Sequence, residues 1–433
     1  MKKITLEGIG EEIYVHKNES SGLVTYMWVN KKVNTCYFSL NVKYGSIHTK
    51  FKIDNKVYEV PNGIAHFIEH IKFNEKKDKS SHEDFYKYGA DANAFTTFKY
   101  TSYIVYASGY LKENLNKLLD FVYNPYFTKK TVSQEKGIII EEANMLEDNP
   151  LGESYFQFLE NIFSKSNYRN FITGRKEDIK KITLEDILIV YNNFYHPHNM
   201  FLCITGNFNP YEMAKVIDEN MDKKEFAPFK KIEVTTSGKE SNFVNCKYKI
   251  IKKNVISPKV RFGIKVPIKN LKNYNVEILQ IIVGLIMSSN IGSTSDFKEK
   301  IIEDEVATYF SHSIDVYDDY MVISVIADTE YPNELVDRLN YKFQHLEIKE
   351  KDIIRKKRAA IASFILSYDD IENVAHIIEE DIILYGRIIP YAKELLEKIS
   401  LDMVRDVFQK LDLTQKSVLI IEKDDVKIKK AND

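Results

Sequence analysis

The sequence predicts an α+β protein of two tandem homologous domains, each an antiparallel-rich sheet with helices packed on one side. Two observations predict it. Stretches of two-residue alternation are interleaved with helical periodicity along the first half. Beyond a polar tract, the same order of elements returns with little residue identity. The predicted division is 1–222 for the first domain, 223–241 for a linker and 242–433 for the second.

The elements follow in order. Residues 36–48 (CYFSLNVKYGSIH) alternate as a strand does. A helix is expected around Gly63–Phe73, and SSHEDFYKYG begins another, with a Ser cap and a Gly stop. NAFTTF and TSYIVYAS read as paired strands, and YLKENLNKLLDFVYNP as an amphipathic helix closed by Pro125. Thr131 to about Leu146 forms the next helix, stopped by the turn-forming DNP, and helices recur near 152–164 and 183–194. A strand at 200–205 and the helix NPYEMAKVIDENM complete the first half. The tract 222–241 is charged and carries Pro228 and Gly238, the composition of a linker. After it, VRFGIKVPI resembles the strand at 36–48, and YNVEILQIIVGLIM is a buried helix. ATYFSHSIDVYDDYMVISVIAD then parallels the strand pair, YPNELVDRLNYKF the amphipathic helix, and 350–385 the long helices.

Composition narrows the function. The net charge of −2 gives no electrostatic reason for nucleic acid or an anionic membrane as partner. Cys36, Cys203 and Cys246 include no CxxC pair, which excludes cysteine zinc knuckles and suits a reducing compartment. The start carries two lysines with no apolar stretch behind them, unlike a secretory signal. The longest apolar run, around Ile278–Met287, falls short of the roughly 18 residues a membrane span needs. A cytoplasmic protein is expected.

The string HFIEH carries the chemistry. His66 and His70 stand four residues apart, on one face of a helix, with Glu69 beside them. Two neutral imidazoles so placed bind one zinc ion, and the carboxylate can take a proton from a zinc-bound water. This is the reverse of the H-E-x-x-H order. Without further ligands, such a pair is also found as an ordinary surface or core pair. A third ligand is available in SQEKGIIIEEANMLEDNP, where Glu135 and Glu142 lie seven residues apart on one helical face. Glu142 follows the apolar run Ile138–Ile140, expected to bury the helix, and a carboxylate there is costly unless paired or metal-bound. Glu142 is therefore the expected third ligand and Glu135 a residue that orients the site. Glu141 and Glu147, out of phase with that line, read as helix surface.

These residues resemble the pitrilysin/insulinase family, the inverzincins. The likeness extends from YGS at 44–46 through VPNGIAHFIEH, GADANAFTTF, EKGIIIEEANMLEDNP and FYHPHNM to GNFNP at 206–210. It covers roughly residues 36–215, while the second half resembles the family mainly in element order. The resemblance implies a LuxS/mitochondrial-processing-peptidase-like fold and a zinc metalloendopeptidase with one Zn2+ per chain. It makes His66, His70 and Glu142 the ligands, Glu69 the catalytic base and Glu135 the auxiliary glutamate. Counting residues as the family does selects Glu147 as third ligand, whereas the flanking residues select Glu142, and Glu147 stays as an alternative. Asn93, Ala94, Phe95 and Thr96 correspond to the edge strand to which substrate adds by main-chain hydrogen bonds.

In the second half the family has an Arg and a Tyr, seven residues apart, that stabilise the oxyanion. Tyr309 matches the Tyr, but Ile302 stands in the Arg position and cannot donate. Either Tyr309 acts alone, a partner supplies the cation, or activity is low; a packed strand Tyr is the plainer reading of Tyr309. The length resembles half-size bacterial members, in which two subunits, identical or related, form a clam-shell chamber around short unfolded peptides. Some of these process peptide precursors. The alternative is a non-catalytic or weakly active peptide-binding subunit of a two-part peptidase.

Overall fold

The computed structural model describes residues 1–74, 82–235, 238–271 and 273–424. The chain opens with strands β1 (Lys2–Leu6), β2 (Glu11–Lys17), β3 (Val24–Val29), β4 (Cys36–Val42), β5 (Lys50–Ile53) and β6 (Lys56–Glu59). Helices α1 (Ile64–Lys72) and α2 (His82–Tyr86) precede the hairpin β7 (Ala90–Thr96) and β8 (Thr101–Ala107). Then come α3 (Leu111–Tyr123), α4 (Lys129–Asp148), α5 (Pro150–Ile162), α6 (Lys176–Lys181), α7 (Leu184–Phe194), β9 (Met200–Gly206) and α8 (Pro210–Met221). Strands β10 (Ile232–Val234), β11 (Tyr248–Lys253) and β12 (Lys259–Pro267) lead to α9 (Val276–Ile291) and α10 (Asp296–Glu303). The hairpin β13 (Tyr309–Tyr317) and β14 (Tyr320–Asp328) follows, then α11 (Pro332–Gln344), α12 (Glu350–Leu366), α13 (Ile371–Tyr385), α14 (Ala392–Lys398), α15 (Leu401–Lys410) and β15 (Lys416–Lys423). The Ser cap expected before α2 lies outside the described residues.

The chain forms two compact units. The first comprises Met1–Met145, Asn170–Ser237 and Ala362–Glu394; the second comprises Leu146–Arg169, Gly238–Ile361 and Leu395–Asp433. These differ from two contiguous halves. Helix α5 belongs to the second unit although the first half encodes it, and α13 belongs to the first.

In the first unit the sheet runs β1-β2-β3-β9-β4-β8-β7. Every pairing is antiparallel except β3 with β9. On one face Phe38, Leu40, Tyr103, Val105, Leu202 and Ile204 share a core with residues of α1, α3, α7 and α8, as the alternation at 36–42 requires. The other face carries Tyr37, Ile104, Phe201 and Cys203, covered by Val374, Ala375 and Ile378 of α13. The expected helical layer is therefore joined by one helix on the opposite side. That face also buries a carboxylate, Glu379, which accepts from Ser39 Oγ and faces His376 Nδ1 at 2.9 Å. Part of the predicted linker is also structured: β10 pairs with β5, and Lys230 meets Asp54 at 2.5 Å.

The second unit repeats the plan with the order β11-β15-β12-β14-β13, and here β11 runs parallel to β15. Phe262, Ile264, Ile323 and Val325 pack with α9, α11 and α15. The segment Val276–Glu303 has the length and composition to cross a membrane, a correction to the shorter run read from the sequence. Half of its apolar window is nonetheless buried, as in a core helix. On the opposite face of β12, a Cβ at Gly263 would stand 2.3 Å from Phe158 Cζ, so glycine is what lets α5 lie against the strand. Lys265, also on this face and fully buried, meets Glu240 at 2.8 Å. Glu240 also accepts from the backbone N–H groups of Ser164, Lys165 and Ser166.

Candidate metal and catalytic site

Helix α1 is built to show two faces. Ile64, Phe67, Ile68 and Ile71 are sealed in the core, and burying each side chain contributes about 1.5–3 kcal/mol. That anchorage leaves His66, Glu69 and His70 turned together on the remaining face. The helix has no side-chain cap at its start: Gly63, at φ +83°, takes that place. A Cβ there would stand 2.2 Å from the Thr173 carbonyl oxygen, so the first turn is held against the loop at Thr173 by close backbone approach.

Candidate ligand atoms of His66, Glu69 and His70 all lie within 4.8 Å of one another. Helix α4 brings the other carboxylates. Its buried stripe is Thr131, Glu135, Ile139 and Ala143; of the run Ile138–Ile140 only Ile139 is fully buried, and Ile138 is exposed. The run buries the helix against the core through Ile139, one fully buried residue per turn, as helical geometry dictates. Glu142 Oε1 stands 3.5 Å from His66 Nε2, and Glu142 Oε2 stands 3.2 Å from His70 Nε2. Glu135, buried, faces His70 Nδ1 at 3.2 Å and accepts from Asn74 Nδ2 at 2.8 Å. Thr96 Oγ1, on β7, donates to Glu69 Oε2 at 2.6 Å.

The positions suit a tetrahedral zinc site. Bonds of about 2.0–2.2 Å to nitrogen and oxygen put neighbouring donors roughly 3.3–3.5 Å apart, and Glu142 comes that close to each imidazole, through Oε1 to His66 Nε2 and through Oε2 to His70 Nε2. The donor chemistry fits as well, with two imidazoles and a carboxylate, and with Glu135 fixing the ring whose Nε2 faces inward. One feature departs from the usual pattern: His66 Nδ1 is buried without a hydrogen-bond partner among the described residues.

The electrostatics call for a cation. Three carboxylates surround two imidazoles. Burial lowers the His70 pKa, but Glu135 and Glu142 outweigh it and push it up to about 10. The bonds from His66 and His70 hold the Glu142 carboxyl well below the usual carboxylate range. Burial raises the Glu135 pKa, and the bonds from His70 and Asn74 reverse that to a net lowering. The cluster binds either a proton at His70 or a metal ion in its place.

The structure brings together His66, Glu69, His70, Glu135 and Glu142, with Thr96 of the proposed substrate strand. Glu147 falls in the second unit, whereas Glu142 faces both imidazoles. Tyr309, the first residue of β13, and Ile302, on α10, also belong to the second unit, and both are exposed. Asn93, Ala94, Phe95 and Thr96 lie on β7, the edge strand of its sheet. Two partners escaped the sequence reading. Asn74 stands four residues after His70, a helical spacing, but past the end of α1. The Thr96 contact with Glu69 has no local signal.

Comparison with known proteins gives a consistent result. The family model described as insulinase, peptidase family M16, matches residues 26–174, and that described as peptidase M16 inactive domain matches 181–359. The chain is 34% identical over 418 residues to the uncharacterized zinc protease YmfH of Bacillus subtilis (strain 168), covering 94% of this chain and 96% of the relative. It is 22% identical to the mitochondrial-processing peptidase subunit beta of Dictyostelium discoideum, covering 76% of this chain and 74% of that one. A crystal structure of a putative M16-like peptidase from Alicyclobacillus acidocaldarius superposes with a TM-score of 0.88 at 24% identity. It covers 95% of this chain and 98% of that one, a likeness of fold.

Proposed function

The chain belongs to the insulinase family of peptidases (family M16), and from that premise we propose that it is a zinc-dependent endopeptidase cutting short, extended peptides. The single observation that carries the reading is that the Glu142 carboxylate reaches both His66 Nε2 and His70 Nε2, with Glu69 held beside them. Zinc is further supported by the zinc-protease name of the relative that covers nearly the whole chain.

His66, His70 and Glu142 would hold the ion. When bound, zinc polarises a peptide carbonyl and acidifies a coordinated water. The chain's own groups do the rest. Glu135 accepts from His70 Nδ1, which orients Nε2 inward. Thr96 occupies Glu69 Oε2, leaving Oε1 to take the proton from the attacking water and pass it to the departing amine nitrogen. The open edge of β7 receives the peptide as an added strand, which favours flexible peptides over folded proteins. Peptide precursors belong to that class of substrate. We also assign the protein a cytoplasmic setting and a second subunit, identical or related; a relative named as a peptidase subunit supports the pairing.

The reading is tested with purified protein, zinc analysis and a quenched peptide pool. Wild type is expected to hold about one zinc per chain and to cleave. His70→Ala is expected to lose the metal. Glu69→Gln keeps the metal and cuts about 10²–10⁴-fold more slowly. A zinc-loaded wild type that cuts nothing, alone or with a related chain, leaves the second reading: a peptide-binding subunit, consistent with Ile302 where the family places a cation.

A further inference from the structure

We propose that Asn93 is a placeholder for substrate: its carboxamide occupies the main-chain donor of Ala94 that an incoming peptide carbonyl must take over. The inference rests on the peptidase reading and extends it to the free enzyme.

The argument starts from hairpin geometry. In an antiparallel pair, residues alternate between those whose N–H and C=O bond the partner strand and those whose groups point away. The register pairs Thr96 with Thr101 and Ala94 with Tyr103. At the turn, Thr97 N–H donates to the Tyr100 carbonyl at 2.8 Å, so Thr97 is a bonded position. Counting back by two, Phe95, Asn93 and Asp91 direct their main-chain groups into β8. Thr96, Ala94 and Ala92 direct theirs to the outer edge, which no strand pairs among the described residues. Ala92 is buried, so the open stretch is Ala94 to Thr96.

The Ala94 N–H is already engaged. Asn93 Oδ1 accepts from it at 2.8 Å. Asn93 itself is exposed, so its side chain can swing away into water. An exposed strand edge invites unwanted pairing, and a side-chain cap that leaves on demand lowers that risk. The same stretch holds Thr96, whose hydroxyl grips Glu69, so a peptide carbonyl on Ala94 comes to rest two residues along the strand from the clamp on the base.

Two measurements test the proposal on the full-length, zinc-loaded chain. The first is amide hydrogen exchange at Ala94, read by NMR with isotope-labelled alanine and without any peptide. Asn93→Ala is expected to speed it about three- to tenfold, the range for losing one net hydrogen bond. Asn93→Asp, whose carboxylate accepts more strongly, is expected to slow it. The second is the affinity of a fluorescein-labelled peptide that the wild type cuts, measured in the Glu69→Gln background. The placeholder predicts the order Ala tighter than Asn, and Asn tighter than Asp, with about threefold between the first two. Unchanged Ala94 exchange in Asn93→Ala overturns the proposal. So does weaker peptide binding by that variant, which would make Asn93 a direct substrate contact. A wild type that holds zinc and cuts no peptide removes the peptidase reading and the placeholder role together, and is recognised by the failure of the wild type itself.

Discussion

The two compact units share a plan and spend their buried charge differently. In the first, α1 turns two imidazoles and a carboxylate inward, beside two further carboxylates from α4. In the second, the helix in the same place in the order of elements, α9, fills that position with Leu279, Ile282, Val283 and Ile286, and no metal cluster occurs there among the described residues. Its buried charge sits instead on the far face of the sheet, where Lys265 and Glu240 neutralise each other and Glu240 collects three backbone donors. One unit leaves an excess of negative charge for a cation to satisfy; the other is satisfied by its own residues. Both units hold a paired carboxylate on the far face of the sheet, Glu379 with Ser39 and His376 in the first and Glu240 with Lys265 in the second, so the units differ in the charge that the first adds on its helical side.

The largest effect on this comparison is expected from Glu240→Gln. It strands Lys265 in the interior and should cost about 3–5 kcal/mol. The chain has one tryptophan, Trp28, buried in the first unit. Urea unfolding followed by circular dichroism should therefore shift while Trp28 fluorescence lags, with zinc content unchanged. Coincident shifts would show the units unfolding as one. The same pair sets an acid limit. Burial raises the Glu240 pKa, but Lys265 and the backbone donors bring it down to about 2. A depressed carboxyl contributes stability that is whole above its unfolded pKa, about 4.5, and is lost as pH falls through about 2.

Next in size is Glu135→Gln, which keeps the shape of the first site and removes the charge orienting His70. Zinc affinity, read by chelator competition, should fall about 10–100-fold. An unchanged affinity would reduce Glu135 to a helix-packing residue. The smallest effect per step is the pH dependence of metal binding. The His70 proton must leave before zinc enters, and its pKa stands at about 10. Affinity should therefore rise roughly tenfold per pH unit through the neutral range and flatten near that value. In the metal-free chain the sign of stability is the reverse of the Glu240 case: the His70 contribution is whole below pH 6.5 and lost as pH rises through about 10. Metal binding independent of pH across that window would count against His70 as a ligand.

The legible parts of the molecule were those encoded locally. The spacing of His66, Glu69 and His70 reads directly as one helical face, and seven residues between Glu135 and Glu142 as another. The choice of Glu142 over Glu147 followed from neighbouring residues rather than from counting, and Glu142 is the one that meets both histidines. The strand β4 announces itself by alternation. The strands β1 and β2 do not, because KKITL and EEIYVHK mix charges into both registers on a half-exposed sheet end. The parallel pairing of β3 with β9 joins residues far apart in the chain, which no local pattern encodes. Nor does composition reveal that α5 and α13 leave their own halves, since an apolar helical stripe does not name its partner. The grip of Thr96 on Glu69 is hidden for the same reason.

The placement of α13 bears on how the chain is made. His66, His70 and Glu142 have left the ribosome long before residues 371–385 are synthesised, an interval of roughly tens of seconds at ordinary translation rates. Until then the back of the first sheet, with Tyr37, Phe201 and Cys203, has no cover of its own. The nascent protein therefore passes through a stage in which its metal ligands are complete and its rear wall is bare, and that stage is when a chaperone would be needed most.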